Sequence, residues 1–182
     1  YYTADKKIVE LGLLPHEDAY KAEYYQFMMN GLMTQLTRIK LGDDIEESHM
    51  RNRQLIAKWV YEKGKENNVV EIVERKNKHF VKINNYSKLR LLFGELLKEI
   101  QRIKSEGDFE AAKNLVEKYG VKIDQKLHRE ILDRYKRLNL APYKGFVNPT
   151  YTLITNNMGE ITDVKVSCTE SYTEQMLRLS NK

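Results

Sequence analysis

The sequence predicts a mainly α fold with a small β component, an α+β chain in which a helical, bundle-like body carries a β-hairpin insert and ends in a β-rich tail. Three observations predict it. Glycine and proline are scarce, at nine and three in 182 residues, which suits long uninterrupted helices. Apolar residues recur at helical spacing through most of the chain up to Leu138. Two short stretches instead show β-branched enrichment around polar turn residues. With 41% hydrophobic residues the chain can bury a core, and its length suits one domain, or one domain with an appendage.

Pro15 and Gly42 bracket a long helix from about His16 to Lys40. Within it Tyr20, Tyr24, Tyr25, Phe27, Met28, Met29, Leu32, Met33, Leu36 and Ile39 cover most of the circumference, so the helix is expected to be central and surrounded. Asp43 followed by Glu46 reads as a capping pair that opens a second helix running to about Glu66. The stretch "VVEIVERKNKHFVKI", Val69 to Ile83, reads as a β-hairpin around its polar "RKNK".

A third long helix starts near Tyr86, with Leu89, Phe93, Leu96, Ile100 and Ile103 on one stripe, and Gly107 ends it. Asp108 caps a shorter helix that ends at Gly120, and Asp124 caps another that runs to about Leu138. Beyond Asn139 the texture changes. "LAPYKGFVNPTY" reads as an ordered connector, and "YTLITNNMGEITDVKVS" as two strands around an Asn-Asn-Met-Gly turn. Ser171 and Glu174 form a capping box for a last short helix.

The net charge of +5 comes from 31 basic and 26 acidic residues. They interleave, as in Leu91 to Glu110, which suits solvated helix faces, and no cluster of the kind a nucleic-acid binder needs stands out. The single cysteine, Cys168, fits a reducing compartment as a small apolar strand residue. No stretch reaches the roughly 18 apolar residues of a membrane span, and no signal peptide precedes Tyr1. Neither membrane nor nucleic acid is therefore an expected partner, and the expected location is cytoplasmic. A start at "YYTADKK", without an initiator Met, reads as a chain cut from a longer polypeptide.

Most familiar catalytic patterns are missing. His16-Glu17 opens "HEDAY", but Tyr20 and Lys21 stand where a zincin helix needs its second histidine. His16 reads as a helix-start residue, and His79 and His128 read as surface residues. There is no glycine-rich phosphate loop and no G-x-S-x-G elbow.

One anomaly remains in "IEESHMRNRQLIAKW", Ile45 to Trp59. At 100° per residue, His49 and Asn52 share a stripe about 100° wide with Ile45, Ile56, Trp59 and Val60, and Arg53 lies at its edge. Polar groups on a buried stripe need partners or cost about 1–3 kcal/mol each. Either the core satisfies them, or the stripe faces a cleft. Donors at i, i+3 and i+4 also suit recognition of carbonyl or carboxylate oxygens.

The segments "NGLMTQLTRI", "EESHMRNRQLIAKW", "EIQRIKSEGDFEAAKNLVEKYG" and "APYKGFVNP", in this order and spacing, resemble the C-terminal region of dipeptidyl peptidase III, above all its bacterial members. These are zinc exopeptidases with an H-E-x-x-G-H motif, and the similarity runs across essentially the whole chain. The resemblance implies that zinc belongs to the full-length parent, with its ligands upstream of Tyr1 and none in this fragment. It implies two lobes around a cleft, with residues 1–149 forming the helical C-terminal part of the zinc-bearing lobe and residues 150–182 returning to the second lobe.

The family's H-M-x-x-R pattern is matched by His49, Met50 and Arg53. By that resemblance His49 is a cleft-facing donor to the substrate carbonyl and thus a catalytic candidate, and Arg53 supports the same region; Asn52, which shares their helix face by spacing, joins them as a substrate-binding candidate. Lys58 stands where some members have another basic residue. An arginine that some members carry in the connector has no match in "FVNPTYT". The expected partners are an oligopeptide substrate and the missing N-terminal part of the same polypeptide. A surface normally covered by that part would lie exposed here, so dimerisation of the fragment is also expected. The fragment alone is expected to be inactive. The alternative reading is a stand-alone helical protein-interaction module without catalysis.

Overall fold

The computed structural model of the chain describes residues 10–12, 19–139 and 147–180. The expected start of the first helix, with Pro15 and His16, lies outside them. The chain divides into two compact units, Tyr1–Leu140 and Ala141–Lys182. The architecture is mainly helical with two small antiparallel hairpins, as the sequence predicts.

In the first unit, α1 spans Ala19–Leu32 and passes into a 3-10 turn over Thr34–Arg38. The single long helix expected there is thus broken at Met33, whose ψ of −63° and φ of −138° leave the α region. Nor is α1 surrounded. Tyr24, Met28 and Leu32 are buried on one side, while Ala22, Glu23, Tyr25 and Gln26 are exposed on the other. The aromatic residues of the buried side meet the next long helix, with Tyr24 stacked on Phe93 at 5.5 Å and Phe27 edge-on to it at 5.8 Å.

Helix α2, Ser48–Gly64, begins later than expected, because Glu47 rather than Asp43 is its N-cap. Its buried stripe runs through Met50, Gln54, Ala57, Val60 and Gly64, with Leu55 and Trp59 on a second flank. The hairpin follows as β1, Val70–Arg75, and β2, Lys78–Ile83. Lys76 and Asn77, at φ 51° and 58°, form the two-residue turn, whose positive φ values match the twist of the paired strands.

Helix α3 covers Tyr86–Glu106, capped by Asn85 and ended by Gly107 at φ 65°. Asp108 caps α4, Phe109–Val116, which loosens into a π turn over Glu117–Val121. Asp124 caps α5, Gln125–Leu138. Both aspartate caps stand where the sequence predicts them.

His128 on α5 is fully buried, which corrects its reading as a surface residue. Its Nε2 lies 3.0 Å from the Leu36 carbonyl and 3.2 Å from that of Ile39. Two carbonyl acceptors require a proton on Nε2, and Nδ1 has no partner among the described residues. The bond ties α5 to the end of the 3-10 turn, where the Leu36 carbonyl also accepts from the Ile39 N–H. His79 is also half-buried rather than exposed. Glu130 accepts from the His79 backbone N–H, and Arg134 donates to the His79 carbonyl. These two α5 side chains thereby satisfy the outer edge of β2 at His79.

In the second unit, β3, Thr150–Thr155, pairs with β4, Ile161–Ser167, around the expected Asn-Asn-Met-Gly turn. Asn156 Oδ1 accepts from the N–H groups of Met158 and Glu160, and Gly159 takes φ 82°. Helix α6, Tyr172–Ser180, opens with the predicted capping box: Glu174 accepts from the Ser171 N–H, and the Ser171 hydroxyl accepts from the Glu174 N–H. Gln175, 1% exposed, exchanges two hydrogen bonds with the backbone of Asn148 and ties the helix to the start of the unit.

Two predictions follow from the packing of the first unit. A Cβ at Gly31 would lie 2.6 Å from Ala57 Cβ and 2.7 Å from the Arg53 carbonyl oxygen, so Gly31→Ala forces α1 and α2 apart. It should cost about 1–3 kcal/mol in urea unfolding, and an unchanged midpoint would show that the helices do not approach so closely. The second concerns Glu130. Burial raises its pKa, but the His79 N–H and the Arg134 guanidinium outweigh it and hold the carboxyl below its ordinary 4.5. A depressed carboxylate contributes stability that is present above pH 4.5 and is lost as pH falls through its folded-state value. Glu130→Gln should therefore flatten the loss of stability on acidification below pH 4.5, read from melts across that range.

Candidate functional site

The N-terminal turn of α2 places His49, Asn52 and Arg53 at i, i+3 and i+4, where side chains share one helix face. That face is not buried. His49 and Asn52 are exposed and Arg53 is half-buried. The buried stripe is centred about 80° around the helix from His49, but Val60, about 20° from it, is fully buried about three turns further on, so the exposure of His49 goes with its place in the first turn. Ile45 precedes the helix altogether and reaches the core from the loop, its N–H bonded to the Val121 carbonyl.

Two residues that sequence reasoning passed over hold this face in place. Glu47 accepts from the backbone N–H groups of His49 at 2.7 Å and Met50 at 2.9 Å. The His49 N–H is the largest cause of a lowered Glu47 pKa; the Met50 N–H and the nearby His49 and Arg53 side chains act the same way. Glutamate is a poor N-cap by preference, so the better-ranked Asp43 drew attention away from it.

Gln35, 2% exposed, is the other. Its Nε2 donates to the carbonyls of Gly31 and Met50, and its Oε1 accepts from Arg53 Nη1 at 3.1 Å. The 3-10 turn thus presents an amide that fastens the first turn of α2 and aims the guanidinium. The available signal was a lone glutamine inside the apolar "LMTQLTRI".

Lys58 does not join the group. Nine residues from His49 it lies about 180° around the helix, and its Nζ donates to the Lys122 carbonyl. Burial pushes its ammonium below the ordinary lysine range, against the opposing pull of Asp124 and Glu62. Gln54, one turn before it, donates to the carbonyls of Tyr119, Gly120 and Lys122, so this side of α2 serves the π turn.

The exposed face therefore offers an imidazole, a carboxamide and a steered guanidinium. All can donate to oxygen, and the guanidinium is permanently charged. Among the described residues no group of three or more His, Cys, Asp or Glu is placed to hold a metal ion. Of the described histidines, His128 spends Nε2 on backbone carbonyls, and His79 contacts Glu130, which Arg134 already engages. These residues do not fit a zinc ligand set.

If the Gln35 amide steers Arg53, the two should be energetically coupled. A double-mutant cycle of Gln35→Met and Arg53→Met should give a coupling of about 1 kcal/mol or more in urea unfolding, and Gln35→Met alone should cost about 1–3 kcal/mol through the Gly31 carbonyl it leaves without its partner at the end of α1. Purely additive effects would mean that Arg53 is not held by Gln35.

Comparison with known proteins adds no relative to this description: the chain matches no protein-family model and no curated protein at significant similarity.

Proposed function

We propose that the chain is the C-terminal part of a zinc exopeptidase of the dipeptidyl peptidase III type, which releases dipeptides from the N-terminus of oligopeptides in the cytoplasm. The observation that carries the reading is the placement of His49 and Asn52 in the open on a helix that buries Met50, Gln54, Ala57 and Val60, with Arg53 steered beside them by a buried amide. It fits the H-M-x-x-R pattern by which the sequence resembles that family. A structural histidine would be enclosed and bonded, as His128 is.

In this reading, His49 donates a hydrogen bond to the scissile carbonyl region of the bound peptide. A single positioned donor of this kind contributes about 2–4 kcal/mol to transition-state stabilisation. Arg53 and Asn52 bind the adjoining peptide oxygens. Zinc would be held by residues outside this sequence and would supply Lewis-acid polarisation of the carbonyl. The fragment by itself would neither hold zinc tightly nor hydrolyse peptides.

The second unit supports docking against another part of the polypeptide. Tyr151, Leu153, Val164 and Val166 share one face of the β3–β4 hairpin and are 41–66% exposed. A two-stranded sheet with a bare apolar face is marginal in water. The same face would serve the alternative, an interaction module without catalysis. No helix among the described residues is long and apolar enough to cross a membrane.

Dipeptide release from an arylamide substrate by the full natural gene product separates the two. His49→Ala at equal zinc occupancy should lower kcat/KM about a hundredfold. Unchanged activity would remove His49 from the reaction centre, and a zinc-loaded wild type without activity would favour the interaction module.

A further inference from the structure

A second polar site lies on β2 and α5, elements that carry none of His49, Asn52 and Arg53. Lys78, Phe80, Arg134, Tyr135, Arg137 and Leu138 line a groove there. Every lining residue that is charged at neutral pH is a cation. Arg134 is engaged, its guanidinium bonded to both oxygens of Glu130 and to the His79 carbonyl. Lys78 and Arg137 are exposed and belong to no ion pair with a described residue. Between them the apolar floor is open, with Phe80 40% and Leu138 57% exposed.

We propose that this groove docks a short acidic segment of a partner protein, in which a large apolar side chain is flanked by carboxylates. The apolar side chain would lie on Phe80, Tyr135 and Leu138, and the carboxylates would pair with Lys78 and Arg137. Charge complementarity selects the acids, and the uncovered floor selects the apolar anchor. The mode of binding follows from the edge of β2. Its backbone groups at His79 are already met by Glu130 and Arg134, so the segment cannot add there as a strand and must be read through side chains.

Nucleic acid is the weaker fit. Its affinity grows with the number of phosphates neutralised, and only two of the lining cations are unengaged. The proposal does not depend on the peptidase reading.

The test is fluorescence anisotropy with the full natural protein and a labelled peptide carrying a Phe-Leu pair between paired carboxylates. Controls replace the carboxylates by lysine or the Phe-Leu pair by serine, and a single-stranded DNA of similar length is the fourth probe. The acidic, apolar peptide should bind saturably and more weakly as salt rises, with each control peptide at least about tenfold weaker. Lys78→Glu with Arg137→Glu should lower its affinity about tenfold at an unchanged melting temperature. Lys78→Gln with Arg137→Gln should act in the same direction if the charge reversals disturb folding, and Leu138→Ser should weaken binding without changing its salt dependence. No saturable binding, equal binding of the serine control, or no effect of the substitutions would overturn the proposal. DNA binding tighter than the peptide's and lost in the same variants would assign the surface to nucleic acid instead.

Discussion

The close approach of α1 and α2 at Gly31 is the constraint on which the candidate site depends. With no side chain there, the backbone of α1 comes within reach of the Arg53 carbonyl and of Ala57, whose methyl group is itself fully buried. Gln35, one turn on, then stands near enough to bond Gly31, Met50 and Arg53 at once. A wider spacing would leave that amide short of α2. Its own burial would then be a liability of about 1–3 kcal/mol instead of a link. The orientation of Arg53 is thus a consequence of a missing methyl group on the neighbouring helix.

From α2 outward, buried polar groups rather than apolar contacts alone set where elements stop and how they meet. Gln54 collects the carbonyls of the π turn, His128 collects those of the 3-10 turn, and Gln175 does the same for the opening of the second unit. Each fills a place where regular hydrogen bonding lapses. The apolar core supplies most of the driving force for folding, but it tolerates sliding, whereas a donor with two fixed acceptors does not.

The same contrast explains what could be read from the sequence. Hairpins, aspartate caps, the Gly107 stop and the Ser171–Glu174 box were legible because their causes are local: turn chemistry, cap preference and periodicity within a few residues. The break at Met33, the burial of His128 and the offset of the α2 stripe were not, because each depends on partners far away in the chain, such as Leu36 for His128. The candidate triad was visible as an anomaly of pattern, but its exposure and its dependence on Gln35 were not. The basic groove was hidden for another reason. Lys78 and Arg137 lie in separate elements far apart in the chain, and only folding sets them around one floor.

The treatment of the β2 edge has a consequence for how the protein behaves at high concentration. At His79, Glu130 and Arg134 stand in for the N–H and C=O groups of a neighbouring strand, so the first hairpin offers no open ladder to another molecule at that point. On β4 the Asp163 carboxylate accepts from the neighbouring Val164 N–H, but the apolar face of the second hairpin lies bare. Self-association would therefore begin on that uncovered apolar face rather than at the His79 edge of the first hairpin.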